Sequence, residues 1–161
     1  MTKQYKVISN GNKIIIRSVY ENDLEEIFEM VCALARHHND VPTVTIGSLK
    51  RDLLDKTPWV HALIAEVNDN ISGYALLCPL AQVQFGQRGL DMHHLYVKTD
   101  FRRLGVAHCL INSAMDKALD LGCNFVVVGT KPENVIAQKV YSAAGFYRKG
   151  PSSSPRFIKR V

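Results

Sequence analysis

The sequence predicts an α/β domain around a mixed sheet, with elements in the order ββααβββαβαβ. Three observations carry this. Runs of β-branched and aromatic residues alternate with stretches whose apolar residues recur at helical spacing. Turn and cap residues punctuate the chain where the period changes. One run, residues 125–128, is apolar throughout, as in a strand buried on both faces.

In chain order, residues 5–9 and 13–19 are short β-prone runs around Asn10-Gly11, a dipeptide that favours a type I′ hairpin. Asn22 followed three residues on by Glu25 has the form of a capping box. Leu24, Ile27, Phe28, Val31, Leu34 and Ala35 then share one helical face. A shorter helix fits residues 46–56 through Leu49, Leu53 and Leu54, and Thr57-Pro58 stops it. Strands follow at 59–67 and 71–77, joined by the turn Asn68-Asp69-Asn70. A glycine- and glutamine-rich loop, residues 82–89, leads to a strand at 90–97. The segment 104–121 is a helix buried through Ala107, Leu110, Ile111, Ala114 and Ala118, with Gly122 as a left-handed stop. Beyond the strand at 125–128, a helix at 135–144 ends at Gly145, and residues 156–161 form a last strand. One domain over residues 1–161 accounts for the length.

Composition narrows the classes of function. Apolar residues make up 47% and charged residues 22%, which is globular rather than disordered. A net charge of +5 permits nucleic acid, an acidic surface or a phosphorylated ligand as partner. The lysines and arginines are spread along the chain, however, and no recognition-helix pattern or stacking aromatic strand accompanies them, so no nucleic acid is expected. Cys32, Cys78, Cys109 and Cys123 are scattered, without the spacing of a metal site or redox pair. That usage predicts reduced thiols and a cytoplasmic protein. No secretory signal and no membrane partner are expected, because the apolar stretches are too short. His37-His38 suggests no metal: neighbouring helix residues point about 100° apart, and cationic side chains suit a helix C-terminus.

The segment Phe101 to His108, FRRLGVAH, stacks two arginines and the smallest side chains where a helix begins. A helix N-terminus offers unpaired N–H groups and partial positive charge, and so takes phosphate readily. Gly105 lets a ligand approach the backbone, Ala107 keeps the first turn uncluttered, and Arg102 and Arg103 add diffuse charge. Neither a G-x-x-x-x-G-K-[ST] loop nor a G-x-G-x-x-G turn is present to offer another phosphate site.

These residues are more informative in combination. Leu95-Tyr96-Val97 precedes R-x-x-G-x-A at Arg102 to Ala107, and Asn134-x-x-Ala137-x-x-x-Tyr141 with Ala144-Gly145-Phe146 follows about thirty residues later. The whole resembles the GNAT superfamily of acyl-CoA-dependent N-acetyltransferases, most specifically over residues 90–146. The resemblance implies a mixed, mostly antiparallel central sheet flanked by helices. It also implies that acetyl-CoA is the co-substrate, with no metal. The amides of Arg103, Leu104, Gly105, Val106, Ala107 and His108 would hold its pyrophosphate, helped by Arg102. Backbone groups of Leu95 and Val97, flanking Tyr96, would pair with the pantetheine arm, and Asn134 and Ala137 would border it from the other side. Ala107 stands where the family often has glycine, a departure the family tolerates.

The chemistry implied is direct attack of an amine on the thioester. Tyr141 matches the family residue that returns a proton to sulfur; from phenol to thiolate this is uphill by about two units in water. The amide of Leu95 or Val97 could hold the oxyanion. No glutamate occurs on the strand where relatives often place the base; Asp91-Met92-His93-His94 stands there. Strict alternation puts Asp91 and His93 on one face and Met92 and His94 on the other. His93 then accepts the proton, with Asp91 in reserve, or else is a strand histidine that only hydrogen-bonds.

For the acceptor, the region of residues 34–40 loosely resembles the polyamine acetyltransferases, so a polyamine or another small-molecule amine is expected. A protein N-terminus or lysine, and a non-catalytic acyl-CoA sensor, are the alternatives. An open edge at the C-terminal strand would invite a homodimer.

Overall fold

A computed structural model describes residues 5–9, 11–148 and 156–160. Eight strands form one sheet: β1 (Tyr5–Ser9), β2 (Asn12–Ser18), β3 (His61–Val67), β4 (Asn70–Gln82), β5 (Gln87–Val97), β6 (Phe125–Gly129), β7 (Tyr147–Arg148) and β8 (Arg156–Arg160). Their order across the sheet is β1-β2-β3-β4-β5-β6-β8-β7, antiparallel except for the β5–β6 pair. Four helices cover it: α1 (Leu24–His37), α2 (Ile46–Leu54), α3 (Val106–Asp120) and α4 (Val135–Ala143). The mixed α/β architecture and the mostly antiparallel sheet agree with expectation.

Period-2 alternation divides the strand side chains between two cores. Tyr74, Leu76, Ala62 and Ile64 meet α1 and α2 through Ile27, Met30, Leu49 and Leu53. Ala75, Leu77, Leu90 and Met92 meet α3 through Leu110, Ile111 and Ala114, and Tyr141 of α4 joins that cluster. Leu110 and Ile111 are fully buried, and each such side chain contributes about 1.5–3 kcal/mol.

The local signals explain most boundaries. The β3–β4 turn places Asn68 and Asp69 at φ 49° and 67°, the left-handed pair a type I′ hairpin requires. α3 and α4 stop before Gly122 and Gly145, both left-handed. Three features differ. The start of α1 is organised by Asp23 rather than Asn22: its carboxylate accepts from the Tyr20 amide at 2.7 Å and from both terminal nitrogens of Arg17 at 2.7 and 2.9 Å. Residues 82–89 are less a loop than the tip of a long hairpin, whose strands pair to Gln82↔Gln87 around a 3-10 turn at Val83–Phe85. β8 is not the open edge expected to pair with a second copy. The chain reverses after α4 and lays β7 against it, pairing Tyr147 with Ile158 and Arg148 with Phe157.

Candidate active site

A wedge opens in the middle of the sheet. β5 and β6 pair only from Gly89↔Phe125 to Asp91↔Val127, while β6 stays with β8 as far as Gly129. Gly89 is required where the two strands meet, since a Cβ there would lie 2.3 Å from the Phe125 ring. Beyond Asp91 nothing on β6 pairs with β5. The Lys98 amide donates to Ser72 O at 2.9 Å, which fixes the direction of the backbone groups. In an antiparallel ladder those groups alternate, so Lys98 and Tyr96 turn theirs towards β4 while Leu95 and Val97 turn theirs into the wedge. The Val97 carbonyl there accepts from Arg102 Nε at 3.0 Å.

The floor of the wedge carries a β-bulge. Leu76 faces His94 and Leu77 faces Met92, leaving His93 as the surplus residue on β5. This corrects the alternation read from the sequence. Met92 enters the α3 core, but the bulge turns His94 to the opposite face, where Asp91 and Tyr96 also lie. His93 is exposed and stacks on His94, ring centroids 4.8 Å apart.

His94 Nδ1 lies 3.0 Å from the hydroxyl of the fully buried Tyr74. Burial, then the charges of His93 and His38, push the His94 pKa down to about 4. His38, at the end of α1, is itself lowered by burial, by Lys131 and by His37, against an opposing pull from Asp40. Lys131 Nζ donates to the His38 carbonyl at 3.0 Å, tying the end of α1 to the loop before α4. The face of the wedge towards α1 is therefore lined by imidazoles. Among the described residues no three His, Cys, Asp or Glu groups could hold a metal ion.

A stability effect follows for His94. Below its unfolded pKa of about 6.5 the unfolded chain binds a proton that the folded site refuses. Stability is thus present above about pH 6.5 and falls as the pH drops towards 4, by up to about 3 kcal/mol. Urea unfolding at pH 7 and pH 4.5 should show a smaller acid loss in His94→Gln than in the wild type.

At the end of the wedge stands the first turn of α3. Arg103 adopts φ 64° and Gly105 φ 91°, which explains why the helix starts at Val106 and not at Leu104. Left-handed residues in such a turn gather successive N–H groups into a concave nest. The first backbone donor to find a partner is Cys109, which bonds Gly105 O at 3.1 Å. The amides of residues 103–108 donate to no acceptor among the described residues. Arg102, Arg103 and His108 are exposed, Ala107 is half-buried, and a Cβ on Gly105 would meet only Ser9 Oγ, at 3.5 Å.

Tyr141 lies on α4, packed against Phe157 and Phe146 at 5.7 and 6.1 Å between ring centroids. Burial pushes its pKa up to about 12. Its hydroxyl has no hydrogen-bond partner among the described residues. Asn134 caps α4, its Oδ1 accepting from the Ala137 amide at 3.1 Å, which leaves the Nδ2 hydrogens for another acceptor.

Residues 22–146 match the acetyltransferase (GNAT) family. A thialysine N-epsilon-acetyltransferase of Bos taurus is 25% identical over 142 residues, covering 82% of this chain and 83% of that protein. The GNAT domain of S. lividans PAT superposes with a TM-score of 0.80 at 14% identity, covering 98% of this chain and 97% of that one. The PaiA N-acetyltransferase of Thermoplasma acidophilum, in complex with coenzyme A, gives 0.69 at 17% identity, covering 92% and 99%.

Proposed function

Since this chain belongs to the GNAT family of acetyltransferases and is an N-acetyltransferase, we propose that its wedge carries acetyl groups from acetyl-CoA to a small primary amine, a polyamine or an amino compound. One observation supports this most: six successive amides without acceptors among the described residues, 103–108, stand at the end of a gap between strands. A pyrophosphate fits such a nest, because the donors are already oriented and the charge of Arg102 and Arg103 adds to that of the helix N-terminus. The backbone of Leu95 and Val97 suits an extended amide chain laid beside Tyr96 as an added strand. Arg102 would release the Val97 carbonyl to it. Asn134 Nδ2, beside Ala137, would donate from the opposite wall. The coenzyme supplies an activated acetyl thioester.

The proton movements fall to side chains. Tyr141, protonated throughout the physiological range, would donate to the departing sulfur. Its raised pKa widens the gap to a thiol of about 8.5 from the two units read from the sequence to about 3.5, near 5 kcal/mol. A transfer concerted with C–S cleavage lowers that cost, because the hydrogen bond strengthens as charge develops on sulfur. His93, exposed on the bulge, would take the ammonium proton, with Asp91 as the second candidate. In His93→Ala, turnover should fall about tenfold near neutral pH and rise more steeply between pH 6 and 9 than in the wild type. An unchanged profile removes His93 as base. The reading as a whole is tested by acetyl-CoA turnover over a panel of amines, with the N-acetylated product identified by mass. Failure to acetylate any small amine would overturn it.

A further inference from the structure

The contact between Tyr74 and His94 belongs neither to the coenzyme cradle nor to the proton donor, yet it sets the chemistry of the wedge's wall towards α1. Tyr74 is fully buried, and His94 Nδ1, at 3.0 Å, is the only hydrogen-bond partner of its hydroxyl among the described residues. A buried phenol whose proton finds no acceptor is costly. The proton therefore points at Nδ1, and the neutral ring carries its own hydrogen on Nε2. Nε2 lies across the ring from that bond; it makes no hydrogen bond among the described residues and is not sealed from solvent.

We propose that His94 is a specificity-determining N–H donor, held in one tautomer by Tyr74, that favours amines bearing an oxygen acceptor, a carboxylate above all. This rests on the reading of the wedge as the site of acetyl transfer. A protonated polyamine presents only N–H groups, so against Nε2–H it sets donor against donor. An amino acid or similar amine presents a carboxylate that can accept from it. Lys131, on the loop tied to His38, adds positive charge beside that imidazole, with Asp40 the opposing carboxylate. The bulge is what makes this possible, because with regular alternation His94 would enter the α3 core and leave Tyr74 unpartnered.

Two measurements on the full chain test it. In protein labelled with 15N-histidine, two-bond 1H–15N spectra at pH 7 should show His94 protonated at Nε2 and bare at Nδ1, and Tyr74→Phe should show a mixture of tautomers. With acetyl-CoA, 6-aminohexanoate should exceed pentane-1,5-diamine, the same chain ending in a second amine, by about tenfold or more in kcat/KM. The difference should lie mainly in KM. His94→Gln, which keeps an N–H, should retain the preference within about threefold, and His94→Leu should bring it near unity. Equal use of the two amines, or a preference that survives His94→Leu, overturns the selectivity. A proton on Nδ1 overturns the tautomer lock by itself. If neither amine is acetylated, the small-amine reading fails and the selectivity with it, and the spectra then judge the lock alone.

Discussion

Gly105→Asp should weaken acetyl-CoA binding by at least about a hundredfold, near 2.8 kcal/mol, with little change in folding stability. The new Cβ would meet only Ser9 Oγ at 3.5 Å, so no core is disturbed. Aspartate tolerates the left-handed backbone at φ 91° better than most residues, and a carboxylate at a helix N-terminus is stabilising by about 0.3–1 kcal/mol. These offset part of the strain of a side chain at a left-handed position, about 1–2 kcal/mol. The same carboxylate would occupy the nest with negative charge and repel the pyrophosphate. Thermal unfolding, together with fluorescence titration of the coenzyme, separates the two effects. A variant that unfolds as the wild type does and still binds normally would show that the pyrophosphate lies elsewhere.

Tyr141→Phe should lower kcat by about a hundredfold to a thousandfold while changing acetyl-CoA affinity less than about threefold. The hydroxyl has no partner among the described residues, so its removal strands no buried group, and the ring contacts with Phe146 and Phe157 survive. The loss is thus confined to protonation of the leaving thiolate. With a pKa near 12, Tyr141 contributes no inflection to the wild-type rate profile below about pH 10. Single-turnover assays with a thiol-specific reagent measure the step directly. Near-normal turnover in the variant would assign the tyrosine to packing alone.

What could be read from the sequence was what has a local signature. The turn at residues 102–107 is legible because a nest needs glycine and small residues together at a helix start. The buried faces of α1 and α3 were legible from the 3.6-residue recurrence of Leu24, Ile27, Val31 and Leu34 and of Leu110, Ile111, Ala114 and Ala118. The bulge was not legible, because the surplus of one residue on β5 depends on its register with β4, and His94 was therefore assigned to the wrong face. Residues 82–89 read as a loop from their glycines, whereas the long pairing of β4 with β5 carries them into a hairpin. Tyr74 was missed altogether. Its polar role exists because burial leaves its hydroxyl one partner among the described residues. The acidity of Tyr141 likewise depends on packing, so the estimate from free phenol understated its cost as an acid.

Coenzyme recognition by the first turn of α3 is tested most directly by calorimetric titration of the wild-type protein with acetyl-CoA. Saturable one-to-one binding is predicted in the micromolar range, weakening as salt screens Arg102 and Arg103 and nearly absent in Gly105→Asp. No saturable heat, or binding that is indifferent to that substitution, would contradict it.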